Sequence, residues 1–134
     1  MSAVNQNRIA LLDNEFIKIE LENEILVGEW KDSFIDLAVA EKAVNSRLHV
    51  LKEKKYPFLV QIKSIKNSTK EARDFLASEK GCEGLIAGAI LVDSVFENMI
   101  ASLFIFLNRP LIPTRVFNDE TKAREWLKQF VAES

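Results

Sequence analysis

The sequence predicts a single α/β domain on a mixed sheet, with an N-terminal antiparallel hairpin followed by parallel strands joined by helices. Three observations carry this. Phe16 to Glu22 alternates apolar and polar residues, as a half-buried strand does. From Ser33 the apolar period lengthens to three and four, and helix-like and strand-like segments then alternate to the end. Leu85 to Val92 is apolar without a break, as in a strand covered by helices on both faces.

Taken in order, Ile9 to Leu12 is a short apolar run and the first strand. In the second, Ile17, Ile19 and Leu21 share one face, and Lys18, Glu20 and Glu22 share the other. Asn23-Glu24 is a tight turn into a third strand, Ile25 to Trp30, which closes the hairpin. Phe34, Leu37, Val44, Leu48 and Leu51 then recur at helical spacing and predict an amphipathic helix from Ser33 to about Lys54. Pro57 disfavours helix in the residue before it, and Phe58 to Lys63 follows as a strand.

Ser68-Thr-Lys-Glu71 has the spacing of a capping box, with the Ser68 hydroxyl at the cap and a carboxylate three residues on. Ala72, Phe75 and Leu76 make the buried stripe of that helix, and Gly81 is its stop. After the apolar strand, Ser94-Val-Phe-Glu97 repeats the capping spacing and opens a helix to about Leu107. Pro110 and Pro113 bracket its exit, and Thr114 to Phe117 is the last strand. Asn118-Asp119 caps a final helix whose stripe is Ala123, Trp126, Leu127, Phe130 and Val131, with Trp126 as the expected anchor. Strand–helix–strand units of this kind join parallel strands by right-handed crossovers.

The totals narrow the class of function. At 134 residues, with no linker or repeat, residues 1–134 form one domain. A net charge of −2 gives no broad footprint for nucleic acid, whose binding rests on neutralised phosphates. Cys82 is the sole cysteine, which excludes an internal disulfide and a cysteine-rich metal site. The N-terminal residues lack the basic-then-apolar pattern of a leader. Asn98 to Asn108, the longest uncharged apolar stretch, is too short for a bilayer, which takes about 20 residues. The expected location is cytoplasmic, with no transmembrane segment.

Two segments carry a family resemblance. Ser68 to Gly81, and the ending Pro113-Thr-Arg-Val-Phe-Asn-Asp-Glu-Thr-Lys-Ala-Arg-Glu-Trp-Leu127, resemble a bacterial group of small uncharacterised proteins near the SpoIIAA-like, STAS-type domains. The resemblance runs from about Ile9 to Phe130 and rests on a cap, a stripe and a Trp, which are structural motifs. It implies a SpoIIAA-like fold and a non-enzymatic domain that binds a partner protein or an apolar ligand. STAS domains of the anti-anti-sigma type are switched by phosphorylation of a Ser in an Asp-Ser-Ser-Gly-like loop. The corresponding stretch here, Lys66-Asn-Ser-Thr-Lys70, places Ser68 or Thr69 near that position but lacks the Asp and the Gly.

The residues themselves hold few catalytic patterns. His49, the sole histidine, falls within the first predicted helix with no nucleophile motif beside it, and one histidine cannot make a His-rich metal site. Gly81, Gly84 and Gly88 lack phosphate-loop spacing. No cofactor or metal is expected, and Cys82 is expected to be an inert thiol. At the carboxyl edge of the parallel strands, Lys31-Asp-Ser33, Ser68-Thr69, Asp93-Ser94 and Asn118-Asp119 should gather. Aspartates would repel an anion at three of these. Ser68 and Thr69, flanked by Lys66 and Lys70, are therefore the candidate phosphate or phosphorylation site.

The helix opened at Ser94 is apolar almost all round, and one face of it must cover the sheet. The other face is left open to three readings: cover by a neighbouring helix, a homodimer contact, or an apolar ligand. Phe96, Met99, Leu103, Phe106, Leu111 and Ile112 form this candidate patch. The expected function is thus a non-catalytic regulatory or protein-binding module, a homodimer with a further unknown protein partner. The alternative is a carrier of an apolar or lipid-like small molecule.

Overall fold

A computed structural model describes residues 8–131; positions 1–7, part of the segment expected to lack a leader pattern, lie outside the described residues. The chain opens with strands β1 (Arg8–Asp13), β2 (Ile17–Glu22), β3 (Ile25–Trp30) and the short β4 (Phe34–Ile35). Helix α1 (Leu37–Leu51) leads to β5 (Tyr56–Gln61), the short β6 (Asn67–Ser68), and helices α2 (Lys70–Ala77) and α3 (Glu79–Cys82). Strand β7 (Leu85–Leu91), helix α4 (Val95–Asn108), strand β8 (Thr114–Phe117) and helix α5 (Glu120–Val131) complete it.

The main sheet runs β1-β2-β3-β5-β7-β8, antiparallel across the first three strands and parallel from β3 onward. This is the mixed sheet that the hairpin and the alternating segments predict. Its order follows the chain without reversal. Right-handed crossovers between strands laid down in one direction must all pass over the same face. Accordingly α1, α2 and α4 share one face, where Ala40, Ala43, Ala72 and Ala101 meet Ile17, Leu26 and Ile90. The other face is left to α5, whose Ala123 and Leu127 pack on Ile25, Leu59, Ala87 and Ala89. Strand β7 is therefore sandwiched, as its unbroken apolar run requires.

Several local expectations are corrected. The first helix begins at Leu37, not Ser33, because Phe34-Ile35 pairs in parallel with Asn67-Ser68 as a second, two-stranded sheet. Asp36 caps α1 by accepting from the Val39 N–H at 2.9 Å. The buried stripe of α1 is Ala40, Ala43, Val44, Arg47 and Leu51, while Phe34 and Leu37 face solvent. Gly81 is not the stop of α2. That helix ends at Ser78, whose hydroxyl then accepts from the Gly81 N–H, and Gly81 lies buried within α3. Leu127, fully buried, is the anchor of α5. Trp126 is half-buried, against Phe117 at 5.7 Å and Phe130 at 5.0 Å between ring centres.

Glu22 is a further departure. Alternation assigns it to the polar face, yet it is only 2% exposed, because α5 packs on that face and sets Arg124 against it. Its carboxylate accepts from Arg8 at 2.6 Å and from Arg124 of α5 at 3.1 Å, which ties the first strand to the last helix. Burial disfavours the charge, but the two guanidinium groups outweigh it and hold the Glu22 pKa below its ordinary 4.5. A depressed carboxylate pKa contributes stability above its unfolded value and loses it as pH falls through the folded one. Glu22→Gln should therefore flatten the acid limb of a stability–pH curve below about pH 4.5. Asp13 and Asp74 are also lowered, by Lys31 and Lys70, but solvent screens both pairs.

Candidate functional site

Two groups of residues that lie apart in the sequence meet around α4. This helix packs on α2 and β8, and between it and the β6–α2 segment lies a cleft of about 260 Å³. Lys66, Ser68 and Arg73 line one wall, and Phe96, Leu103 and Leu107 line the other. The candidate phosphate residues and the candidate apolar patch thus share one opening.

Ser68 is not the cap of α2. Thr69 is, its hydroxyl accepting from the Ala72 N–H at 3.1 Å. The box is shifted by one residue because Ser68 is held in β6, paired with Ile35. The Ser68 hydroxyl instead accepts from Arg73 Nη1 at 3.0 Å, and the same nitrogen donates to the Ser68 carbonyl at 2.7 Å. Lys70 pairs with Asp74 at 2.8 Å, and Asp74 also accepts from Asn108 Nδ2 at 2.6 Å, linking α2 to α4. Of Ser68, Thr69, Lys66 and Lys70, the cleft therefore takes Ser68 and Lys66, joined by Arg73. Thr69→Ala should cost about 0.5–2 kcal/mol, the value of a lost cap. Ser68→Ala should cost less, since Arg73 keeps the backbone carbonyl; paired thermal melts check the order.

The carboxyl edge offers less than its residue types suggest. Asp32 accepts from the Phe34 N–H, Ser94 from the Glu97 N–H and Asp119 from the Lys122 N–H. Each group is engaged by its own loop or helix. A strand order without reversal also lacks the switch-point crevice in which open α/β sheets bind ligands.

On α4 only Ala101 is fully buried. Ile100, Phe104 and Ile105 lean on the core, while Phe96 is 55%, Met99 52% and Phe106 71% exposed. Leu103, Leu107 and Leu111 are exposed beside them, and Ile112 is half-buried. No helix of the chain covers this face among the described residues.

Beneath α4 a partly open cavity of about 170 Å³ lies against the sheet, with Val60, Ile90, Leu76, Ala101 and Phe104 on its walls. Arg47 also lines it and is 5% exposed. Its Nη2 donates to the carbonyls of Gly81 at 3.0 Å and Glu83 at 2.7 Å, while its Nε is buried with no partner. Burial pushes this guanidinium down to about 10, against the weaker pull of Cys82 and Glu83, so it stays charged at neutral pH. Ile65, Ser68, Arg73, Ile100 and Phe104 border both cavity and cleft, so the two spaces adjoin.

The residues set aside by sequence are placed accordingly. His49 is exposed on α1, and Cys82 is buried with its Sγ 3.7 Å from the Leu76 and Ala77 carbonyl oxygens. Among the described residues no cluster of His, Cys, Asp and Glu is arranged to hold a metal ion, and no helix is long and apolar enough to cross a membrane.

The family described as Domain of unknown function (DUF7793) matches residues 19–131, most of the chain. The chain belongs to the DUF7793 family. None of the curated proteins matches this DUF7793 chain. A solved structure is similar: an uncharacterized protein from the DUF3478 family with a SpoIIAA-like fold, from Shewanella loihica PV-4. It is 16% identical, with a TM-score of 0.58 over 87% of this chain and 97% of that one. The DUF7793 chain thus shares a SpoIIAA-like fold, as the resemblance implied, and the likeness speaks to fold alone.

Sequence reasoning missed Arg47 and Arg73. A signal for Arg47 was present: it continues the Ala40–Ala43–Val44–Leu51 stripe, a charge on an apolar face. Arg73 is half-buried and stands among charged residues of a short helix, where charges are ordinary, and carried no such mark.

Proposed function

We propose that this DUF7793 chain is a non-catalytic regulatory or binding module that pairs with a second copy of itself through the outer face of α4. The observation that carries the reading is the uncovered apolar face of that helix, centred on Met99, Leu103 and Phe106. An apolar surface of this kind marks a site of association. Carboxylates and cations are sparse on it between Asn98 and Asn108, so a twofold pairing brings apolar surface onto apolar surface without repulsion. Leu111, exposed between Pro110 and Pro113, extends the same face.

The cleft beside it, with Arg73 and Lys66, is the part we assign to a further protein partner. Regulation by a phosphate on Ser68 fits that assignment, because Arg73 already holds the Ser68 hydroxyl. Phe106→Asp tests the pairing. The substitution should convert a dimer to a monomer by size-exclusion chromatography while leaving the thermal midpoint of the monomer fold in place. Loss of folding, or an unchanged dimer, would count against this face as the contact.

A further inference from the structure

Arg47 presents an unusual combination. It is a buried cation whose hydrogen bonds go to neutral backbone carbonyls, and it forms no ion pair among the described residues. Buried charges are as a rule paired or hydrogen-bonded on every donor, because desolvation is otherwise uncompensated. Here the Nε–H has no acceptor among the described residues. Glu83, whose backbone carbonyl Arg47 holds, has an exposed side chain drawn to Lys80 at 3.6 Å. A group entering the cavity that Arg47 lines would supply the missing acceptor.

The cavity defines the rest of that group. At about 170 Å³, with aliphatic and aromatic walls, it is close in size to an engineered apolar cavity of about 150 Å³ that stays dry and takes benzene. Water is a poor occupant, since the lining is overwhelmingly apolar, with Arg47, Ser68, Arg73 and Thr114 as its polar side chains. An anion with no apolar body would leave most of the wall unfilled.

We infer that the cavity beneath α4 binds a small monocarboxylate with a benzene-sized apolar body, its carboxylate accepting from the buried Arg47 guanidinium. The body packs between Ile90 of β7 and Phe104 of α4, and entry is through the Ser68–Arg73 cleft. Nothing in this assignment depends on the pairing of two chains. It gives the apolar-ligand reading of the sequence a size limit and a charged head.

Substituting Arg47 itself would strip two backbone carbonyls of their donors and endanger the fold, so the deciding measurements leave it in place. Calorimetric titration of the full chain with benzoate should saturate in the millimolar range or below. Benzyl alcohol, of similar shape but without charge, should bind about tenfold more weakly or worse. In nitrogen-15 spectra the Arg47 Nε–H resonance should shift on adding benzoate. Gly88→Val places its side chain in the cavity, since the nearest atoms to a Cβ there are 3.8 Å away, and should abolish benzoate binding without loss of the folded state. Benzoate that fails to bind, binds no better than benzyl alcohol, or binds the folded Gly88→Val variant equally well would overturn the assignment.

Discussion

Gly81→Ala should be among the most damaging single substitutions in this chain, at about 3 kcal/mol or more, the upper end for overpacking. A Cβ at Gly81 would fall onto the Phe75 carbonyl oxygen and come within 2.6 Å of that of Leu76. Both are backbone atoms at the end of α2, so no side chain can swing aside. Relief requires α3 to move off α2, which also withdraws the Gly81 carbonyl from Arg47. For a domain with about 5–15 kcal/mol in total, that is a large fraction. Gly88→Ala is the control: its added methyl meets only ordinary contacts at 3.8 Å or beyond, so its denaturation midpoint should stay close to that of the parent. Equal midpoints for Gly81→Ala and Gly88→Ala would show that α3 does not press on α2 in this way.

Leu127→Ala should cost about 2–5 kcal/mol, the range for a large aliphatic residue removed from a packed core. Leu127 is fully buried, and among the described residues α5 is the one helix on its face, so no neighbouring helix closes the space. Trp126→Ala should cost less, because that side chain is only partly buried. What it loses is ring contact with Phe117 and Phe130 and the Arg115 guanidinium, 5.6 Å from the Trp126 ring centre. Urea denaturation of both variants ranks the two residues. A larger loss for Trp126→Ala would reverse the anchor.

The order of these two effects shows where the sequence was legible. Period and continuity are collective properties of a segment, and they placed the hairpin, the parallel strands and the major helices. Single positions were harder. Trp126 and Leu127 share one stripe, and only the angle at which α5 meets the sheet decides which points inward. Ser68 and Thr69 are equally good caps, and a two-residue bridge to Ile35 chose between them. Gly81 suited a helix stop by type, but its place was set by a turn that tucks α3 beneath Phe75. Glu22 lay on the polar face of its strand, and its burial depends on Arg124, a residue more than a hundred positions away.

The candidate site divides in the same manner. The excess of apolar residues on α4 was visible as composition, since a helix resting on one sheet can bury only part of its circumference. Its meeting with the Ser68 segment was not, because that depends on a crossover bringing β6 alongside α4. The cavity and the stranded Nε of Arg47 arise from packing among three helices and the sheet, and no local pattern encodes an empty volume.

If the open face of α4 joins two copies of this chain, as proposed, sedimentation equilibrium of the unmodified protein at micromolar concentration should give a mass twice that of the 15.3 kDa chain, falling toward one chain on dilution. A single-chain mass at every concentration, with Phe106 still open to solvent, would contradict it.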